Sequence, residues 1–393
     1  MSGPLYLAWR YALRHPAKTS ILVAAIALIV FLPVGLQVLV GQSARELTAR
    51  AESTPLLVGA RGSALELVLS SLYLESRPPE PTDWAQVERV EATGLARAIP
   101  LHLGFQARGH PIVGTTLDYF DFRGLHVAQG RRMAVLGECV LGARAARALG
   151  LAPGGELVSS SETVFDLAGD YPLKMRVAGV LAPSHTPDDE AVFVDVKTAW
   201  VIEGLGHGHQ DLAAPDAETA VLAREGSSIT ANASVVEYQE ITPANADSFH
   251  FHGDLSAYPI SAVIAVAPDA KSRALLMGRY EGENESQQVL RPVSVMDELL
   301  ETVVTIQVYV VAAIAIVSAA TLATAALVFL LSLRLRGREI ETLVKIGGAR
   351  ISVAAVLASE VVVVLSLGIL LAAALTLVTS RFGSAAIRAL LLS

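Results

Sequence analysis

The stretch Leu333 to Arg350, LRLRGREIETLVKIGGAR, lies between two long apolar runs and carries Arg334, Arg336, Arg338, Lys345 and Arg350 against only Glu339 and Glu341. The 31 residues that lead into it, Val303 to Leu333, contain no charge. Lys and Arg beside membrane spans are retained on the cytoplasmic side, so the pattern predicts a short basic cytoplasmic loop between two spans. Ile340, Leu343, Val344 and Ile346 recur at near-helical spacing between charged positions, which predicts a short amphipathic helix closed by Gly347 and Gly348. A helix of this kind can lie in the interface or dock in a partner's groove.

Composition points the same way. The chain has 393 residues, 52% hydrophobic and 17% charged, with a mean hydropathy of +0.49. That apolar excess calls for membrane spans. The single cysteine, Cys139, permits neither an internal disulfide nor a cysteine-rich zinc cluster. The net charge of −8 conceals an asymmetry: residues 42–302 hold 20 Lys+Arg and 35 Asp+Glu, whereas residues 1–18 carry Arg10, Arg14 and Lys18 with no acid. A large acidic domain on one side of a membrane and small basic segments on the other are expected, and nucleic-acid binding is not.

In chain order, residues 1–18 place Leu5, Trp9, Ala12 and Leu13 at helical spacing among Arg10 and Arg14, the pattern of a cytoplasmic interfacial helix. Residues 19–41 are 23 uncharged residues, roughly 35 Å of helix against a hydrocarbon core of roughly 30 Å, and form a first span kinked at Pro33. A cleaved signal peptide is the competing reading, but the run is longer than an h-region.

Residues 42–302 read as an extracytoplasmic α+β domain with helical stalks, inserted between the first and second spans. Leu56–Ala60 reads as a strand and Ser63–Tyr73 as a helix; a second helix is expected from an Asp83 cap to about Val90. Strands follow at Ile99–Phe105 and Pro111–Thr116, then a helix led by Val135-Leu136-Gly137 that runs to Leu149. Ile260–Val266 is a buried strand, Asp269–Tyr280 a helix and Gln287–Val293 a further strand. From Val295 to Leu333 there is no Gly or Pro, so one helix of roughly 58 Å runs into a second span at residues 303–333. Residues 334–350 form the basic loop and residues 351–380 a third span interrupted only by Glu360. That acid sits at the cytoplasmic interface, pairs with another helix or carries protons. Residues 381–393 remain as a short external C-terminal tail.

Several of these stretches resemble one family. Arg338-Glu339-Ile340, Leu343 and Ile346-Gly347-Gly348-Ala349-Arg350 resemble the cytoplasmic loop of FtsX/MacB/LolC-type ABC transporter permeases, and Leu7 to Arg10, Arg14 and Lys18-Thr19 resemble the start of those proteins. Ile112 to Phe120, Gly124-Leu125, Gly130-Arg131, Pro153 to Gly155, Met175 to Leu181 and Ala191 to Val194 resemble the MacB-type external domain in order, over about 100 residues. The resemblance implies that Arg338, Glu339, Ile340, Leu343, Ile346, Gly347, Ala349 and Arg350 couple the chain to a separate ABC ATPase subunit. It also implies a homodimer or heterodimer of permeases in the inner (plasma) membrane, with a further partner in the periplasm or beyond. Such permeases usually have four spans, and residues 381–393 fall far short of the ~20 residues a fourth would need.

No GxxxxGK[ST], HExxH or GxSxG occurs, so no nucleotide-binding or catalytic motif lies on this chain and ATP is expected on the partner. Asp188-Asp189-Glu190 reads as a solvated acidic turn. His207-Gly208-His209 and His250-Phe251-His252 each place two imidazoles on one side of an extended chain. Two readings stand for them: ordinary surface histidines, favoured by their glycine and acidic neighbours, and a zinc or copper site. The expected function is a permease subunit that couples ATP hydrolysis elsewhere to motion of an external domain acting on a lipid-linked, peptide or small-molecule client. The alternative is a membrane-anchored sensor or scaffold whose external domain binds a ligand or metal and transports nothing.

Overall fold

The computed structural model describes residues 3–74, 79–161, 172–209, 221–225, 228–231, 238–282, 285–335, 337–345 and 349–391. Its helices are α1 (Gly3–Arg14), α2 (Pro16–Glu52), α3 (Ala64–Tyr73), α4 (Ala85–Ala92), α5 (Leu117–Arg123), α6 (Ala143–Leu149), α7 (Val196–Ile202), α8 (Ala270–Gly278), α9 (Pro292–Leu335), α10 (Gly337–Lys345) and α11 (Arg350–Leu391). The chain divides into two units, one of residues 1–49 with 297–393 and the other of residues 50–296.

Three helical stretches among the described residues, all or mostly in the first unit, are long and apolar enough to cross a membrane: Pro16–Gln42, Pro292–Leu331 and Ile351–Gly383. Helices α2 and α11 pack side by side in the same direction. Lys18 Nζ lies 3.6 Å from Glu360 Oε1, the backbone of Gly368 comes against Ile26, and Gln42 Nε2 donates to the Ser380 carbonyl at 2.9 Å. Glu360, buried in this pair, therefore has a cation beside it. The parallel register puts Lys18 and the start of α11 at one end of the pair. Helix α1 packs along α11 and buries Ala8 and Ala12, leaving Tyr6 and Trp9 exposed. Along α9, by contrast, Ile306, Tyr309, Ile316, Val317 and Leu327 are all exposed.

Two expectations at the ends of these helices need correction. The strand beginning at Gln287 stops at Leu290, and α9 already starts at Pro292. Proline suits a first helical turn, where its missing N–H has no partner to lose. Residues 381–391 are no separate tail, for α11 continues through them to Leu391.

The second unit is built on a mixed eleven-stranded sheet. Its main path runs Gln287–Leu290, Leu56–Ala60, Ala262–Val266, Arg97–Ala107, His110–Thr115, Val192–Asp195, Glu138–Leu141, Lys174–Leu181, Val127–Gly130. The long strand Arg97–Ala107 is antiparallel to both its path neighbours, and Val192–Asp195 runs parallel to His110–Thr115. Two apolar clusters flank this sheet. One gathers Phe105, Ile112, Leu141, Met175 and Val192, the other Leu56, Val58, Val90, Ile260 and Val263. Helix α7 joins them: Ala199, Val201 and Ile202 enter the first and Trp200 the second, with Trp200 Nε1 donating to the Pro259 carbonyl at 2.7 Å.

Local capping explains several helix starts. Ser63 Oγ accepts from Glu66 N at α3, Asp195 from Lys197 N at α7, and Asp269 from Ser272 N at α8. Asp83 does not cap α4 as its sequence suggests. Thr82-Asp83 pairs instead as a short strand with Pro259-Ile260, and Trp84 occupies the cap position with its ring edge-on to Trp200, centroids 5.4 Å apart. A helix led by Val135 is likewise replaced. Glu138–Leu141 is a wholly buried strand, and only Ala143–Leu149 is helical. A short apolar run of this length reads equally as strand or helix until its neighbours are known.

Glu138 is the acid in that buried strand. Arg131 meets it with two bonds of 2.6 and 2.7 Å and Arg176 with one of 2.9 Å. Burial pushes the Glu138 carboxyl up, but the bonds from Arg131 and Arg176 outweigh it and leave it at about 2. A carboxylate depressed by folding adds stability above its unfolded pKa, and that stability is lost as pH falls from about 4.3 towards the folded value. Glu138→Gln should therefore lower stability at neutral pH by about 1–3 kcal/mol. In thermal melts of the full-length protein the gap between wild type and variant should close as pH is taken down towards 2.

Candidate functional site

Helix α10 occupies the basic stretch, with Arg338, Glu341, Thr342 and Lys345 exposed along it and Lys345 bonded to Glu341 at 2.7 Å. Positions 340, 343 and 344, three and four apart, fall along one side of a helix of this length. Ala349 is exposed, and Arg350 opens α11. Arg336, Ile346, Gly347 and Gly348 lie outside the described residues.

The acidic turn proves to be a buried junction. Residues Pro187–Glu190 form a 3₁₀ turn in which Asp188 is 1% and Asp189 3% exposed. Arg50, in the last turn of α2, forks onto Asp188 with bonds of 2.7 and 2.8 Å, and Tyr119 of α5 donates its hydroxyl to the same carboxylate at 2.7 Å. Arg50 also donates to Tyr119 Oη at 3.0 Å, which closes a triangle. Burial alone would push the Asp188 carboxyl up, but the charge and hydrogen bonds of Arg50, with the Tyr119 hydroxyl, hold it below the usual carboxylate range. Burial would likewise lower Arg50, and its Tyr119 and Asp188 partners instead hold it above its ordinary value. Asp189 turns inward and accepts from Ser184 N and His185 N at 2.8 and 2.9 Å, so the turn is braced internally. Arg50 and Asp188 are 138 residues apart, and no local signal in either stretch announces the pairing.

The two histidine pairs also come together. Gly206–Gly208 and Phe249–Phe251 form a two-stranded antiparallel ladder with His207 directly opposite His250. Because side chains alternate across a strand, the four histidines fall on one face and the glycines and phenylalanines on the other. On the far face Phe249 and Phe251 lie across Gly208 and Gly206 so closely that a Cβ at either glycine would sit 2.5 or 2.4 Å from a ring carbon. Phe251 packs against Trp200 and Tyr258, so the apolar face is fastened to the core. On the near face the ring centroids of His207 and His250 are 4.8 Å apart, His207 and His252 5.1 Å, His209 and His250 5.2 Å, and His250 and His252 4.8 Å. One ring nitrogen each from His207, His209 and His250 lies within 4.8 Å of the others.

Of the residues singled out from sequence, the histidines are assembled; of the coupling positions, 338, 339, 340 and 343 lie on α10 and Arg350 opens α11. Arg50 and Tyr119 were not signalled as a site. Removing one member of a buried ion pair strands the other, at a cost of about 3–5 kcal/mol. Arg50→Met should thus lower the melting temperature of the full-length protein by roughly 10 °C, and Arg50→Met with Asp188→Leu should recover most of that loss.

A family model described as the MacB-like periplasmic core domain matches residues 19–238. Among solved structures, the periplasmic region of MacB from Actinobacillus actinomycetemcomitans matches at 11% identity, covering 66% of this chain and 97% of that chain, with a TM-score of 0.33. The extracellular domain of the noncanonic ABC-type transporter YknZ from Gram-positive bacteria matches at 12% identity, covering 60% and 98%, with a TM-score of 0.31. No curated protein matches. The family match spans more than half of the 393 residues. With its long apolar helices and large α+β domain, the chain belongs to the FtsX/MacB-like permease family, as a membrane protein carrying a MacB-like periplasmic core domain.

Proposed function

We propose that this protein is the membrane subunit of an ATP-driven machine of the MacB type, in which a separate cytoplasmic ATPase grips α10 and the nucleotide cycle moves the external domain. The observation that carries this reading is a nine-residue helix with apolar positions between charged ones, set in a basic stretch between two helices long and apolar enough to cross a membrane, on a chain whose other large part is a MacB-like domain. A short helix with apolar positions at 340, 343 and 344 between charged ones is suited to a groove on a partner. The sequence has no phosphate-binding loop, which fits a nucleotide held by that partner.

The long exposed apolar surface of α9 supports assembly with a second permease chain, identical or different. The client is a lipid-linked, peptide or small molecule reached from outside the membrane. The four histidines favour a second reading, a tethered sensor without transport; stimulation of ATP turnover by this chain in membranes separates the two.

The first test is co-purification. Ile340→Asp with Leu343→Asp should abolish capture of the ATPase while leaving the protein in the membrane, and retained capture would remove α10 from the coupling role. The second concerns sidedness. Cys139 is buried, so Arg338→Cys and Glu88→Cys supply exposed thiols on α10 and in the domain. A membrane-impermeant maleimide should modify Glu88→Cys in intact cells and Arg338→Cys only in inverted vesicles.

A further inference from the structure

The geometry points to a binding site for one divalent transition-metal ion of the zinc class on the external domain, formed by His207, His209 and His250 with His252 beside them. Nothing in the permease reading requires such a site, and its reasons are chemical.

Imidazole is a ligand for zinc and its neighbours in the first transition row, and three or four imidazoles without a carboxylate or thiolate select that class over calcium or magnesium. Zinc–nitrogen bonds of about 2.0–2.1 Å in a tetrahedron place the ligand nitrogens about 3.3 Å apart. The three nitrogens here lie within 4.8 Å of one another. Rotation of the imidazoles about their own side-chain bonds can close that difference with the strands held still.

The strands are held. Cross-strand pairing fixes His207 against His250, and the phenylalanines on the far face lock the ladder to the core. His250 Nδ1 lies 2.8 Å from the Ser248 carbonyl. A carbonyl only accepts, so Nδ1 carries the proton and Nε2 offers the lone pair, the arrangement that a backbone acceptor imposes on metal-bound histidines. The Tyr258 hydroxyl donates to the His252 carbonyl at 2.8 Å and steadies the end of the same strand.

His207, His209 and His250 are half-buried and His252 is exposed, so an ion can enter from solvent and take its fourth ligand from His252 or from water. Once bound, it would bridge two segments about 40 residues apart. The segment between them would become a metal-closed loop.

Full-length protein, purified in detergent without a polyhistidine tag and stripped with EDTA, would be titrated with ZnCl2 by calorimetry and with CoCl2 by visible absorption. The expected result is one Zn2+ per chain at micromolar affinity or tighter, with the visible bands of tetrahedral Co2+. His207→Ala with His250→Ala should weaken zinc binding by about 100-fold or more, while His110→Ala leaves it unchanged. If the double variant fails to fold, His209→Gln alone serves, with an expected loss of about 10-fold or more and an unchanged metal-free melting temperature. Absence of zinc binding by the wild type, or unchanged binding in the variants, would overturn the assignment. No ATPase takes part, so this result stands or falls independently of the coupling test.

Discussion

Hydrocarbon offers no hydrogen bonds and no home for a lone charge, and that constraint orders much of this molecule. Helix answers the first demand, since every backbone group inside it is satisfied within the segment. The second shows in where charge is allowed. Lys18 meets Glu360 at one end of the α2 and α11 pair, and Arg50 emerges only after the apolar part of α2 has ended. Between these points Ile26 beside Gly368 and Leu39 beside Gly383 provide close packing without polarity. The acidic surplus of the large domain and the basic character of the terminal and loop segments are the same segregation written across the whole chain.

Within the domain the economy is that of an ordinary water-soluble protein. Apolar clusters lie on the sheet, α7 contributes to both, and the buried carboxylates Glu138 and Asp188 are met by arginine. Glu138 and Asp188 are both buried carboxylates held ionised by arginine, but they differ in kind. Glu138 draws on Arg131 and Arg176, whose side chains are about half exposed, whereas Arg50 is itself buried with Asp188. The second arrangement is the more sensitive, because each partner is expensive to bury alone and acceptable only with the other.

Much of this was legible in the sequence wherever the signal was local or long. The uncharged run at Val303 to Leu333, the helices at Ser63 to Tyr73 and from Asp269, and the β-branched strand within Ile260 to Val266 all declare themselves in their own stretch of sequence, whereas α7 and its Asp195 cap do not. Glu138–Leu141 did not, because four apolar-flanked residues are a strand only when Val192–Asp195 and Lys174–Leu181 lie beside them. The acidic turn was misread for a related reason. Three acids in a row look solvated, and the arginine that buries one of them sits 138 residues earlier. The histidine pairs show the boundary most clearly. Their alternation was visible in each stretch, but that one pair faces the other depends on a ladder whose strands are joined by a long segment of weak periodicity.

Helices α2 and α9 both lead from apolar segments into the domain, yet they are not equivalent as mechanical parts. Helix α2 carries Pro33, which deletes a backbone bond and leaves a soft joint. Helix α9 has no proline after its first residue and no glycine through all 44 residues, roughly 66 Å of unbroken ladder. Under the same load one would flex like a knuckle and the other push like a piston rod. The contrast rests on a single pyrrolidine ring, present within one helix and missing from the interior of the other.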